Sequence, residues 1–172
     1  GRNHHVCNMG SITETATAFP GQTGQRPDSV APLAEMLRLN GYSTAAFGKS
    51  HETAAWEVSP SGPTDRWPTR SGFDKFYGFI GGEANQWAPG LYRDHHRVEM
   101  EIPKGMEGRY TLNDALADET IDLIYQQKSV TPNRPLFIYY APGATHAPHH
   151  VPREWMDRFK GQFDQGWDRY RE

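Results

Sequence analysis

The chain has 172 residues, 36% of them hydrophobic, and its 18 Lys and Arg against 21 Asp and Glu give a formal net charge of −3. That length suits one domain or one large piece of a domain, and the balanced charge supplies no basic stripe for a phosphate backbone, so nucleic acid is not an expected partner. No apolar run approaches the roughly 20 residues of a membrane span, Cys7 is the single cysteine and can form no internal disulfide, and 17 Gly with 13 Pro predict long irregular loops.

Residues 1–28 are polar, Gly-rich and aperiodic, and read as loop. Their start has no apolar core or cleavage-like site, so it is not a signal peptide, and the missing initiator Met suggests native sequence upstream. Residues 29–51 read as helix then strand. Val30, Leu33, Ala34 and Leu37 recur at helical spacing, Asp28 or Ser29 can cap, and Asn40-Gly41 is a stop signal, which predicts a helix over 29–40. Tyr42 to Phe47 follow as a short strand ended by Gly48. Residues 52–110, with five prolines and no sustained period, read as an irregular insertion with short hairpins around Phe73 to Ile80 and Tyr92 to Ile102. In 111–172, a helix over Asn113 to Gln127 buries Leu116, Ile121 and Ile124 behind a Thr111 or Asn113 cap. The apolar run Arg134 to Tyr140 then reads as a strand buried on both faces, and a histidine loop leads to a helix over Arg153 to Phe159. The alternation predicts an α/β fold with a mostly parallel sheet sandwiched by helices.

Both strong strands run into polar clusters, and in open α/β sheets ligands bind beyond the carboxyl ends of strands. The first cluster is Gly48-Lys49-Ser50-His51. In extended backbone Lys49 and His51 share a face. A fixed ammonium beside a titrating imidazole suits an anionic ester, the cation offsetting oxygen charge and the imidazole moving a proton. The competing reading is a solvated loop. The second cluster holds His146, His149 and His150, with His146-Ala147-Pro148 limiting the swing of the first imidazole. Zinc ligation and plain surface histidines compete there. His95-His96 reads as a solvated face, and Trp56, Trp67, Asn85, Gln86 and Trp87 are either a pocket lining or loop packing.

These segments together resemble the sulfatases of the alkaline phosphatase superfamily, bacterial arylsulfatases above all. Leu33-Ala34-Glu35-Met36-Leu37, Gly41-Tyr42-Ser43-Thr44-Ala45 and Phe47-Gly48-Lys49-Ser50-His51 are similar to the family's "LAe.Lk..GY.Ta.fGKwH" block, with Ser50 in place of the usual Trp. Gly72-Phe73-Asp74-Lys75-Phe76-Tyr77-Gly78 resembles its "GFd.fyG" element, and Pro135 to Tyr140 with His146-Ala147-Pro148 its later strand and "H.P" segment.

The resemblance implies hydrolysis of a small-molecule sulfate ester at a calcium site, with a formylglycine nucleophile made within a C/S-x-P-x-R signature. By it, Lys49 and His51 bind sulfate and assist regeneration of the nucleophile, and His146 contacts sulfate near the leaving group, with His149 as an alternative through Ala147-Pro148-His149. Gly1-Arg2 resembles the end of a "LTGR" run that follows the signature. Cys7 lacks the proline and arginine of the signature and reads as a plain thiol. The expected calcium ligands have no counterpart, so these 172 residues look like an internal segment of an arylsulfatase, inactive by themselves. A phosphate or phosphonate ester hydrolase of the same superfamily and a non-catalytic metal-binding domain are the alternatives.

Overall fold

The computed structural model describes all 172 residues. Its first regular helix, α1, spans Leu33–Leu39, shorter than the expected 29–40. Pro32 is the reason, since it stands extended (φ −63°, ψ 149°) as the residue before the helix instead of inside it. The helix stops at Asn40-Gly41 as its sequence requires, with Gly41 at φ +89°.

Strand β1, Ser43–Ser50, runs through Gly48 instead of ending there. It pairs in parallel with β2, Lys75–Ile80, on one side and with β5, Leu136–Ala141, on the other. β3 (Leu91–Arg93) and β4 (His96–Val98) extend the sheet antiparallel, in the order β4-β3-β2-β1-β5. The region expected as an irregular insertion thus contributes three strands. Lys75 to Ile80 is a third parallel member of the frame, not a hairpin, because its Phe76, Tyr77, Gly78 and Phe79 are all buried.

Alternate residues of β1 face opposite ways. Ala45 and Phe47 join Tyr77, Phe79, Leu91, Tyr110, Leu112, Ala115 and Leu116 in the main core. The last three belong to helix α2, Leu112–Val130, which starts where the Asp114 carboxylate accepts the Thr111 backbone N–H (2.8 Å) and hydroxyl (2.7 Å). The buried face expected of this helix needs correction. Ile121 and Ile124 are 48% and 38% exposed, because only the first turns lie over the sheet and Leu123, one position off that stripe, is the later residue packed on the core.

β5 also differs from expectation. Tyr139 and Tyr140 are 52% and 42% exposed because the strand is the sheet's edge, not an interior member. Two short helices, α3 (Arg153–Arg158) and α4 (Trp167–Arg171), close the chain.

Gly48 lies between Gly78 and Ala141 in register, so the three strands place their smallest residues side by side. A Cβ on Gly48 would meet the Ala141 carbonyl oxygen at 2.1 Å, and one on Gly78 the Gly48 oxygen at 2.0 Å. With φ at +101°, Gly48 adopts a conformation that L residues with side chains rarely reach.

Candidate functional site

Gly48 also decides where the next residues go. Phe47 is in the α2-side core, and a Cβ on Gly48 would approach Leu116 of the same side at 3.3 Å. The strict alternation therefore slips at Gly48, and Lys49 joins Ala46 on the opposite face, in a cavity of about 740 Å³. His51 follows β1 directly and lines the same cavity, as do its neighbours Ser50 and Glu52, so the shared lining does not depend on the two-residue spacing. Leu33, Phe73, Phe76, Phe137 and Tyr139 form its apolar wall, and Arg26 and Glu52 add charge.

The chain's ion pairs do not include Lys49. His51, by contrast, is engaged: its Nε2 stands 2.8 Å from each carboxylate oxygen of Glu14. That hydrogen bond is the main cause holding the Glu14 carboxyl below the ordinary carboxylate range. Glu52 shows the reverse. The protein crowded around it raises its carboxyl, although one side stays open to solvent, and the charge of Arg26 pulls only partly the other way.

His146 and His149 lie in the loop after β5 and line a different cavity, of about 720 Å³, with Gln86, Arg109, Asn113, His150 and Trp155. The structure therefore brings Lys49 and His51 together, but sets the two histidine clusters on neighbouring recesses. Gly82-Glu83, just past β2, stands between them. Gly82 abuts the His51 ring, where a Cβ would lie 2.9 Å from Cε1, and a Glu83 carboxylate oxygen is 3.5 Å from His146 Nδ1. His146 Nδ1 is also 2.9 Å from the Ala147 carbonyl oxygen.

Of the aromatic and amide residues singled out in the sequence, Gln86 lines the second cavity, its Oε1 buried without a partner. Trp67 is packing: it is fully buried and its indole donates to the Glu57 carbonyl at 2.6 Å. Of the pair expected on a solvated face, His96 is exposed, while His95 is half-buried. Its ring stacks 5.7 Å from that of Trp67, and burial lowers its pKa. Glu14 and Arg26 escape sequence reading because they sit in aperiodic loops 37 and 25 residues from His51. No group of three or more His, Cys, Asp or Glu side chains is placed to hold a metal ion, so the residues present do not fit the calcium that the resemblance implies.

A family model described as Sulfatase matches residues 1–172. An uncharacterised sulfatase of Schizosaccharomyces pombe is 28% identical over 98% of this chain and 32% of its own length. An arylsulfatase of Klebsiella aerogenes is 28% identical over 97% of this chain and 35% of its own. An N-acetylgalactosamine-6-sulfatase of dog is 30% identical over 77% of this chain and 26% of its own. The chain thus spans about a quarter to a third of the length of these relatives. Among solved structures, Ps i-CgsB in complex with k-i-k-neocarrahexaose superposes with a TM-score of 0.64 at 23% identity, covering 91% of this chain and 35% of that one, a likeness of fold.

Proposed function

The chain belongs to the sulfatase family, and on that premise we propose that the whole protein is an arylsulfatase, cleaving an R–O–SO₃⁻ ester with water to the alcohol and sulfate. The observation that carries this reading is the delivery of Lys49 and His51 into one cavity at the carboxyl end of β1, with an aromatic wall beside them. In this reading the Lys49 ammonium, unclaimed by any carboxylate, binds the non-bridging sulfate oxygens and offsets their charge. His51 moves a proton at the reacting centre. By the same reading His146 acts near the leaving oxygen from the neighbouring recess, with His149 as the alternative. Phe73, Phe137 and Tyr139 offer apolar surface to an aryl group. The formylglycine and calcium of this chemistry belong, in the same proposal, to residues other than these 172.

The test is turnover by the full-length protein of p-nitrophenyl sulfate beside p-nitrophenyl phosphate. Preference for the sulfate, lost in Lys49→Ala, is the expected result. Preference for the phosphate would assign the chain to ester hydrolysis of the other tetrahedral anion.

A further inference from the structure

We propose that Glu14 is the positioning residue for His51, engaging Nε2 so that Nδ1 is the nitrogen left to exchange a proton with the reacting ester; this rests on the ester hydrolase reading above. Both carboxylate oxygens of Glu14 lie 2.8 Å from Nε2. A carboxylate only accepts, so Nε2 carries the hydrogen, and the hydrogen bond at one ring nitrogen sets the role of the other. Nδ1 then offers a lone pair when the ring is neutral. After it takes a proton, the carboxylate faces the imidazolium.

The backbone that carries Glu14 is firmly held for a loop, while the Glu14 side chain itself is about half exposed (51%). Glu14 sits in the short helical turn Thr13–Thr15, whose Thr13 is 3% exposed. The Thr17 N–H donates to the Gln22 carbonyl at 2.9 Å. The Asn8 side chain ties the loop's two ends, donating to the Gln25 carbonyl and accepting the Gly21 N–H, each at 3.2 Å. Gly24 packs so closely that a Cβ would lie 2.8 Å from the Ala16 methyl. On the other side the ring rests against Gly82, where a Cβ would lie 2.9 Å from its Cε1, and the Gly81 N–H is tied to the Ser50 carbonyl at 2.8 Å. A carboxylate on a braced turn and a bare backbone thus hold one imidazole between them, 37 residues from the first and 31 from the second.

The experiment uses the full-length protein with p-nitrophenyl sulfate, together with ¹⁵N spectra of its histidine rings. Glu14→Gln keeps the shape and removes the charge. We expect its kcat to fall about 10-fold or more with KM within about twofold, because Glu14 acts through His51 and does not touch the ester. Glu14→Asp should recover part of the loss, and the Nε2-protonated signature of His51 should disappear in Glu14→Ala. An unchanged kcat in Glu14→Gln, an Nδ1-protonated tautomer in the wild type, or a fall in activity that merely follows a lowered Tm without rescue by Asp would each overturn the proposal. A wild-type protein that turns over no sulfate ester would overturn the hydrolase reading instead. The ring spectra would then decide by themselves whether Glu14 sets the tautomer.

Discussion

At the residue scale the proposed site rests on Lys49 and His51 in one cavity and on His146 or His149 in the neighbouring one. Lys49→Ala and His51→Ala in the full-length protein should each lower kcat/KM for p-nitrophenyl sulfate about 100-fold or more while leaving Tm nearly unchanged, since neither side chain is in the core. His146→Ala should do likewise and His149→Ala less. A silent His146 with a critical His149 would shift the assignment by one motif. Two carboxylates near His51, its partner Glu14 and its chain neighbour Glu52, oppose each other in pH dependence. Glu14 titrates lower in the folded chain than unfolded, so its contribution is present above the ordinary carboxylate range and is lost as pH falls through its depressed value. Glu52 titrates higher, so its contribution is present at low pH and is lost as pH rises through its raised value. Denaturant unfolding of Glu52→Gln should therefore show greater stability than the wild type near neutral pH. Elsewhere, Glu57 is 1% exposed and bound to Arg66 at 2.5 Å. Arg66→Ala should cost about 3–5 kcal/mol by leaving a buried charge unpaired. The Lys-x-His pair could be found in the sequence because it is local. The Glu14 contact could not, because no period or spacing links a loop carboxylate to an imidazole 37 residues away.

Among the elements, the helices and parallel strands were legible where one residue pattern met one environment. α1, β1, the start of α2 and β5 follow from spacing and stop signals. The exceptions each have a physical cause. Pro32 shortened α1, and a glycine able to take a positive φ let β1 continue where a stop was expected. Ile121 and Ile124 lie on a helical stripe with no sheet beneath it. Gly48→Ala tests the part that matters most to the site. The new methyl must displace Ala141 backbone from 2.1 Å, and the slip that sends Lys49 into its cavity would be disturbed at once. Loss of about 3 kcal/mol or more in chemical denaturation, or failure to fold, is expected. Asp114→Ala, by contrast, removes only the reach-back to Thr111 and should cost about 1 kcal/mol.

For the molecule as a whole, the sequence implied an α/β sheet but not its outline, because edge and interior strands with the same apolar run look alike until the neighbours are known. The pairing of β1 with two partners has a consequence in time. Ala45 meets Lys75 within a loop of about thirty residues, whereas Ser43 meets Leu136 only after more than ninety. Closing the longer loop costs about 1 kcal/mol more in chain entropy. β1, α1 and β2 are therefore expected to assemble first and β5 to dock last, so that the lysine side of the site is built before the histidine loop is brought beside it. Pulsed hydrogen exchange during refolding should show amides of β1 and β2 protected ahead of those between β1 and β5; simultaneous protection would mean that the sheet condenses in one step.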